Sequence, residues 1–175
     1  MQIFAETERL ILRELLPADE HGMFELDSDP DVHRYLGNKP ITTTQQARDM
    51  IAYVRQQYVT DGIGRWAVIE KATGEFTGWA GLKFMTETRN GHSNFYDVGY
   101  RFIKRYWGKG YATEAAIASV KYGFEVLKLK EMYGMADVDN IASNKALQKA
   151  GLKFVEEFEH DGVKHNWYVI TRYSK

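Results

Sequence analysis

One stretch constrains the fold more than any other: Asp97-Val-Gly-Tyr-Arg-Phe-Ile-Lys-Arg-Tyr-Trp-Gly-Lys-Gly-Tyr-Ala-Thr-Glu-Ala115. From 96 to 103, aromatic or aliphatic side chains alternate with polar or small ones and no proline intervenes, the period of two that a strand requires. Gly108 and Gly110 then flank Lys109, and the alanine-rich run from Ala112 towards Leu127 meets no glycine before Gly123, which favours helix. A strand, a glycine-paired loop and a helix therefore follow one another. The first turn of such a helix has unpaired N–H groups and a partial positive charge of about half an electron, so it accepts an anionic group such as a diphosphate.

Two phosphate-binding loops are excluded. That of the nucleoside triphosphatases ends in Gly-Lys-Ser or Gly-Lys-Thr, and neither occurs in the chain. The dinucleotide fingerprint needs a third glycine where Thr113 stands, normally after the first strand of a domain. Taken alone, the segment also reads as an ordinary strand-to-helix turn.

Trp107-Gly-Lys-Gly-Tyr-Ala-Thr-Glu-Ala115 resembles the acyl-CoA-binding motif of the GNAT N-acetyltransferase superfamily, written Gln/Arg-x-x-Gly-x-Gly/Ala. Asn140-Ile-Ala-Ser-Asn-Lys-Ala-Leu-Gln-Lys-Ala-Gly-Leu-Lys-Phe154 is similar to the second motif of the branch containing ribosomal-protein alanine and serine N-acetyltransferases. Thr7-Glu-Arg-Leu-Ile-Leu-Arg13 and Asp29-Pro-Asp-Val32 fit the same branch, so the resemblance covers nearly the whole chain. Trp107 departs from the motif, standing where Gln or Arg is usual. One side-chain partner for phosphate is thereby missing, and more falls to the backbone donors.

The resemblance implies an α+β, three-layer GNAT acyl-CoA N-acyltransferase fold, with a central mixed, mostly antiparallel seven-stranded sheet and helices on both faces. It implies acetyl-CoA as co-substrate, held by main-chain groups of Phe102, by Trp107, Gly108, Lys109, Gly110, Tyr111, Ala112 and Thr113, and by Asn140, which bonds the pantetheine amide. In the family, the strands before and after the long helix splay apart, and the pantetheine arm lies in the opening. Gly99, a glycine inside a strand, is the expected bulge there.

With 175 residues, 44% of them hydrophobic, one domain spanning 1–175 is expected. The 23 basic and 24 acidic side chains give a net charge of −1, so no long-range field draws the protein to nucleic acid or an anionic membrane. No window approaches 18 apolar residues, and Glu6, Glu8, Arg9, Arg13 and Glu14 crowd the first twenty. Neither a membrane span nor a signal peptide is expected, and the location is read as cytoplasmic. The chain has no cysteine, which excludes disulfides, thiolate zinc sites and an acyl-cysteine intermediate. Acyl transfer would then be direct, within a ternary complex. His21, His33, His92, His160 and His165 are scattered, with no two three or four apart, so no metal site is read from them.

In chain order, a strand is expected over 7–15, a helix from Pro17 or Ala18 to about Leu26, and a second helix over 43–58 with a Thr43/Gln46 capping box. Ala47, Met50, Ile51, Val54 and Tyr58 line its apolar face. Asp27, Asp29 and Asp31 read either as a lure for a cationic amine or as a structural cluster in which Asp29 caps a helix starting at Pro30. Strands follow at 65–70 and 76–85, the latter pair carrying Trp66 and Trp79 as core or pocket wall, then a turn at Asn90-Gly91 and the strand 94–103. After the long helix come a strand over 131–138, a helix over 143–150 and a hairpin, 154–159 with 165–172, around Asp161-Gly162. The strands 94–103 and 131–138, joined through a helix, should be parallel neighbours. Trp167 and Tyr168 on the last strand read as an interface, hence a possible homodimer, or as a packed face.

Acyl transfer to nitrogen requires that the amine lose a proton and the departing thiolate be stabilised or protonated. An α-amino group, with a pKa near about 8, needs a weaker base than a lysine at about 10.4. Asp97, where this branch carries Glu or Asp, reads as that base or as a structural carboxylate. Glu114, in the first turn of the long helix, suits its dipole. The superfamily's usual acid, a tyrosine seven residues after the motif asparagine, is replaced by Leu147; the resemblance points instead to Ser143, which also reads as the cap of a helix beginning at Asn144. The expected activity is acetyl-CoA-dependent N-acetyl transfer to a primary amine, foremost a protein or peptide N-terminal α-amino group. A small amine such as an amino sugar, polyamine or drug is the alternative acceptor, and a non-catalytic acyl-CoA-binding module the alternative function.

Overall fold

Eight short segments pair into a single sheet, from a central strand buried along its whole length to an edge strand that is largely exposed. The structure, a computed structural model, describes residues 1 to 173. Its strands are β1 (Ile3–Glu6), β2 (Leu10–Arg13), β3 (Trp66–Glu70), β4 (Phe76–Met85), β5 (Phe95–Phe102), β6 (Glu131–Asp137), β7 (Lys153–His160) and β8 (Val163–Thr171). They are ordered β1-β2-β3-β4-β5-β6-β8-β7, antiparallel throughout except for β5 and β6. The helices are α1 (Glu20–Asp27), α2 (Pro30–His33), α3 (Thr44–Thr60), α4 (Tyr111–Glu125) and α5 (Ile141–Lys149). The sheet is mixed and mostly antiparallel, as expected, but it has eight strands rather than seven. The expected first strand is two: Thr7 closes a tight turn by accepting the amide of Leu10 at its hydroxyl, 3.1 Å, and donating its own amide to the Leu10 carbonyl, 2.9 Å.

Leu82 and Lys83 on β4 show how the layers divide. Leu82 packs beside Gly123 of α4, whereas the Lys83 ammonium lies over the Tyr53 ring of α3. Consecutive strand residues point to opposite faces, so α4 covers one face and α3, with α1 packed on it, covers the other. α5 packs beside α4. The core on the α4 side centres on Trp66, stacked on Phe4 and set edge-on to Tyr122.

Helix α3 begins with the expected capping box, Thr43 and Gln46, and buries Ala47, Ile51 and Val54. Met50 is exposed, because the 47/51/54 stripe is narrower than the run the sequence suggests. The Asp161-Gly162 turn has both residues at positive φ, the twist a tight hairpin favours. Trp167 and Tyr168 are both packed, each only 1% exposed and on opposite faces of β8: Trp167 lies among His92, Phe95, Tyr133 and Phe158, and Tyr168 against Phe154. No helix among the described residues is long and apolar enough to cross a membrane.

Candidate active site

The site lies where β5 and β6 part. They share one registered position, Asp97 opposite Tyr133, although β5 stays paired with β4 as far as Phe102 and β6 with β8 as far as Asp137. Past Asp97 the strands diverge, and two helix N-termini flank the gap: α4, reached from β5 through the glycine loop, and α5, reached directly from β6.

At α4 the first turn is left uncapped. Gly110 is its N-cap, at φ 82 and ψ 10, and no side chain bonds the amides behind it. That left-handed conformation is costly for any residue with a Cβ. The loop is braced instead through its carbonyls and side chains. The Trp107 indole donates to the Phe102 carbonyl at 2.8 Å, and Arg9 donates to the Lys109 carbonyl at 2.8 Å. Glu114 accepts from the Thr7 hydroxyl at 2.8 Å and from Arg9 Nε at 3.0 Å. These contacts lower its pKa below the usual carboxylate range against the burial that would raise it. Tyr111 is buried, its hydroxyl donating to Glu70, and the Lys109 ammonium lies 3.8 Å from Glu70. Ala112 and Thr113 are half-buried in the first turn. Nothing stands within 4 Å of where a Gly108 Cβ would be. A loop braced this way, with the amides of the first turn of α4 left uncapped, would suit a diphosphate.

The N-terminus of α5 is tied down. Asn140, not Ser143, is its cap, accepting the Ser143 amide at 3.3 Å. The helix therefore starts earlier than expected and Ser143 lies inside the first turn, its hydroxyl free of capping. Asn144, buried, is satisfied on every side: Nδ2 donates to the carbonyls of Asp137 and Asn140, and Oδ1 accepts from Asn166 at 2.9 Å and Tyr168 at 2.6 Å. Across the gap, the Tyr100 hydroxyl donates to the Ser143 carbonyl at 2.6 Å and lies 3.1 Å from Ser143 Oγ. Leu147, 1% exposed, belongs to the core.

Asp97 and Tyr100 are three apart on β5 and so point to opposite faces. Asp97 is buried on the α3 side, where Oδ2 pairs with Arg65 at 2.5 Å and Oδ1 has no hydrogen-bond partner. Arg65 also donates to the carbonyls of Gly81 and Asp97. Burial pushes the Asp97 carboxyl above the ordinary aspartate range, with Arg65 opposing the shift. The expected bulge at Gly99 is absent, since the β4–β5 register runs unbroken through Gly81 and Gly99. Glycine is required there for space: a Cβ would stand 2.7 Å from the Arg65 guanidinium. Beside this pair, Trp79 lies between Arg65 and Arg101, and Arg101 pairs with Asp27 at 2.7 Å, which also meets His33 at 3.1 Å. The acidic cluster is thus structural. Asp27 is buried in that network, Asp29 caps α2 by accepting the Asp31 amide, and Asp31 pairs with Lys104.

Of the residues read from sequence, Gly108 to Thr113 form one flank of the gap, Asn140 and Ser143 the other, and Asp97 its closed end. Phe102 is split, its ring in the core against Tyr111 and its carbonyl taken by Trp107. Sequence reasoning missed Arg65, Tyr100 and Asn144. Asn144 sat inside a motif already noted; for Arg65 and Tyr100 no spacing links them to Asp97 or Ser143.

The sheet opens between β5 and β6 beside the uncapped start of α4. The chain belongs to the GNAT family: residues 9–153 match the acetyltransferase (GNAT) domain. It is 34% identical over 151 residues to the uncharacterized N-acetyltransferase p20 of Bacillus licheniformis, covering 83% of each chain. It is 29% identical to the spermidine N(1)-acetyltransferase of Escherichia coli strain K12, covering 86% of this chain and 76% of that one. In fold it superposes on the RimL ribosomal L7/L12 α-N-protein acetyltransferase in complex with coenzyme A, with a TM-score of 0.80 at 15% identity over 97% of this chain and 98% of that one. The protein is an acyltransferase, an acetyltransferase that acts on amines, and enzymes of its family use acetyl-CoA.

Proposed function

We propose that the protein moves an acetyl group directly from acetyl-CoA to a protein or peptide N-terminal α-amino group. Bound acetyl-CoA supplies the acyl group as a thioester. Trp107, Gly108, Lys109, Gly110, Tyr111, Ala112 and Thr113 hold its phosphates, chiefly through backbone amides, and Phe102 main-chain groups and Asn140 hold the pantetheine arm. Asp97 is the base and Ser143 the acid. The acceptor ammonium first gives up one proton, through Asp97, to solvent; as the neutral amine then attacks, the N–C bond forms and the C–S bond breaks, its electron pair passing to sulfur. The surplus proton on nitrogen goes to Asp97 Oδ1, and sulfur takes a proton from Ser143 Oγ. Exchange with solvent returns both residues to their starting states.

The observation that carries the α-amino reading is the state of Asp97. One oxygen is committed to Arg65, and the other, closed off from solvent, has no hydrogen-bond partner, on a carboxyl that burial raises. An α-amino group, with a pKa of about 8, asks less of such a base than an amine of about 10.4. A small polyamine is the second reading, favoured by the similarity to the spermidine enzyme.

Free-thiol release from acetyl-CoA, measured against N-terminal peptides, amino sugars and polyamines, decides between them. Peptides with a free α-amino group should give the highest kcat/KM; a polyamine in that place contradicts the α-amino reading. The rate should rise with pH as Asp97 ionises, on a limb displaced upward from that of an ordinary aspartate, and Asp97→Asn should abolish that limb.

A further inference from the structure

Ser143 does not stand alone at the gap. β5 carries Tyr100 three residues beyond its one registered pairing with β6, where no ladder joins the strands. From there the side chain reaches across to α5 and meets Ser143 at two atoms. The donor inventory fixes how these bonds run. The phenol has one proton, and the 2.6 Å approach to the Ser143 carbonyl, which can only accept, takes it. At 3.1 Å the phenolic oxygen is then the acceptor and Ser143 Oγ–H the donor. The result is a closed ring, serine hydroxyl to phenol to serine carbonyl, that selects one rotamer of Ser143 and one direction for its proton.

We propose that Tyr100 is the positioning residue for Ser143, holding the serine hydroxyl at the first turn of α5 with its proton parked on the phenolic oxygen, beside the gap between β5 and β6. The inference rests on the assignment of Ser143 as the acid. Tyr100 takes no part in the bond changes. When the thiolate forms, the serine proton turns from the phenolic oxygen to sulfur while the bond from phenol to carbonyl keeps the turn in place. Burial raises the Tyr100 pKa, opposed by its Ser143 bond, so the phenol stays protonated and the ring stays closed where the enzyme works. The remainder of the α5 turn is already fixed by Asn140 and Asn144. Losing the phenol hydroxyl should therefore free one serine rotor without unfolding the helix.

Tyr100→Phe removes that hydroxyl and keeps the ring. Steady-state kinetics on Tyr100→Phe, Ser143→Ala and the double variant, with coenzyme A affinity from calorimetric titration and thermal melts alongside, tests the proposal. Tyr100→Phe should lower kcat about tenfold or more, the scale on which small misplacements act. The KM for acetyl-CoA, the affinity for coenzyme A and the melting temperature should change little. The double variant should be no slower than Ser143→Ala, because a residue acting through another adds nothing once that other is gone. Tyr100→Phe at the wild-type rate, with Ser143→Ala slow, overturns the inference and leaves the Ser143 assignment standing; so do losses that multiply in the double variant. Ser143→Ala at the wild-type rate overturns the acid assignment and the inference together.

Discussion

Two helix N-termini face the same gap and are built in opposite ways. α4 begins at a left-handed glycine with no side chain on its amides, while α5 begins at Asn140, whose side chain takes the Ser143 amide, and is fastened again by Asn144. Both ends have the same unpaired donors and the same dipole by construction. The difference is what is done with them. An end that must receive an anion is left open and braced from behind by Trp107, Arg9 and Glu114. An end that must present one hydroxyl in one place is tied off so that the hydroxyl alone is left to act. Under the proposed function, binding and proton delivery fall to two different helices that share a single strand pair.

The comparison can be broken at either end, beginning with the largest effect. Asn144→Ala deletes two donated and two accepted bonds in a buried setting and orphans the Tyr168 hydroxyl. A loss of about 3 kcal/mol in urea unfolding is expected, with kcat falling as the α5 turn loosens. Asn144→Asp keeps the acceptor for Tyr168 and Asn166 but not the donor, and should fall between. At the open end, Gly110→Ala forces a Cβ into φ 82 beside Arg9, at a backbone cost of about 1–2 kcal/mol. The KM for acetyl-CoA should rise with kcat nearly kept. The smallest effect comes from the brace. Glu114→Gln should cost about 1 kcal/mol at neutral pH, as expected of a half-exposed ion pair. The Glu114 pKa is lowered in the folded state, so its contribution is complete above the unfolded value of 4.5 and is lost as pH falls through the lower folded value. Acid titration of stability should therefore bring wild type and variant together below that value.

The two ends were also unequally legible in the sequence. The open end is local: strand alternation, two glycines and an alanine-rich helix lie within twenty residues, and the expected elements match β5 and α4 closely. The tied end depends on partners far along the chain. Ser143 alone looks like a good cap, and only the bond from its amide to Asn140 shows that the cap lies three residues earlier. Tyr100 was visible as a strand residue, but its partner is 43 positions away. The amino-terminal Thr7-Glu-Arg9 motif likewise gains its meaning from Glu114, more than a hundred residues on. A strand glycine often marks a bulge, but Gly99 makes room for Arg65, a tertiary need that no local pattern shows. The split of the first strand turned on one threonine side chain closing a turn.

The division of labour between the helix ends is tested most directly by kcat and the KM for acetyl-CoA, measured side by side for Gly110→Ala and Ser143→Ala against one peptide acceptor. The account predicts a crossed pattern. Gly110→Ala raises KM and leaves kcat within a few-fold, whereas Ser143→Ala lowers kcat about a hundredfold and leaves KM nearly unchanged. If both variants move the same constant, the two ends do one job together and the separation argued from their capping is wrong.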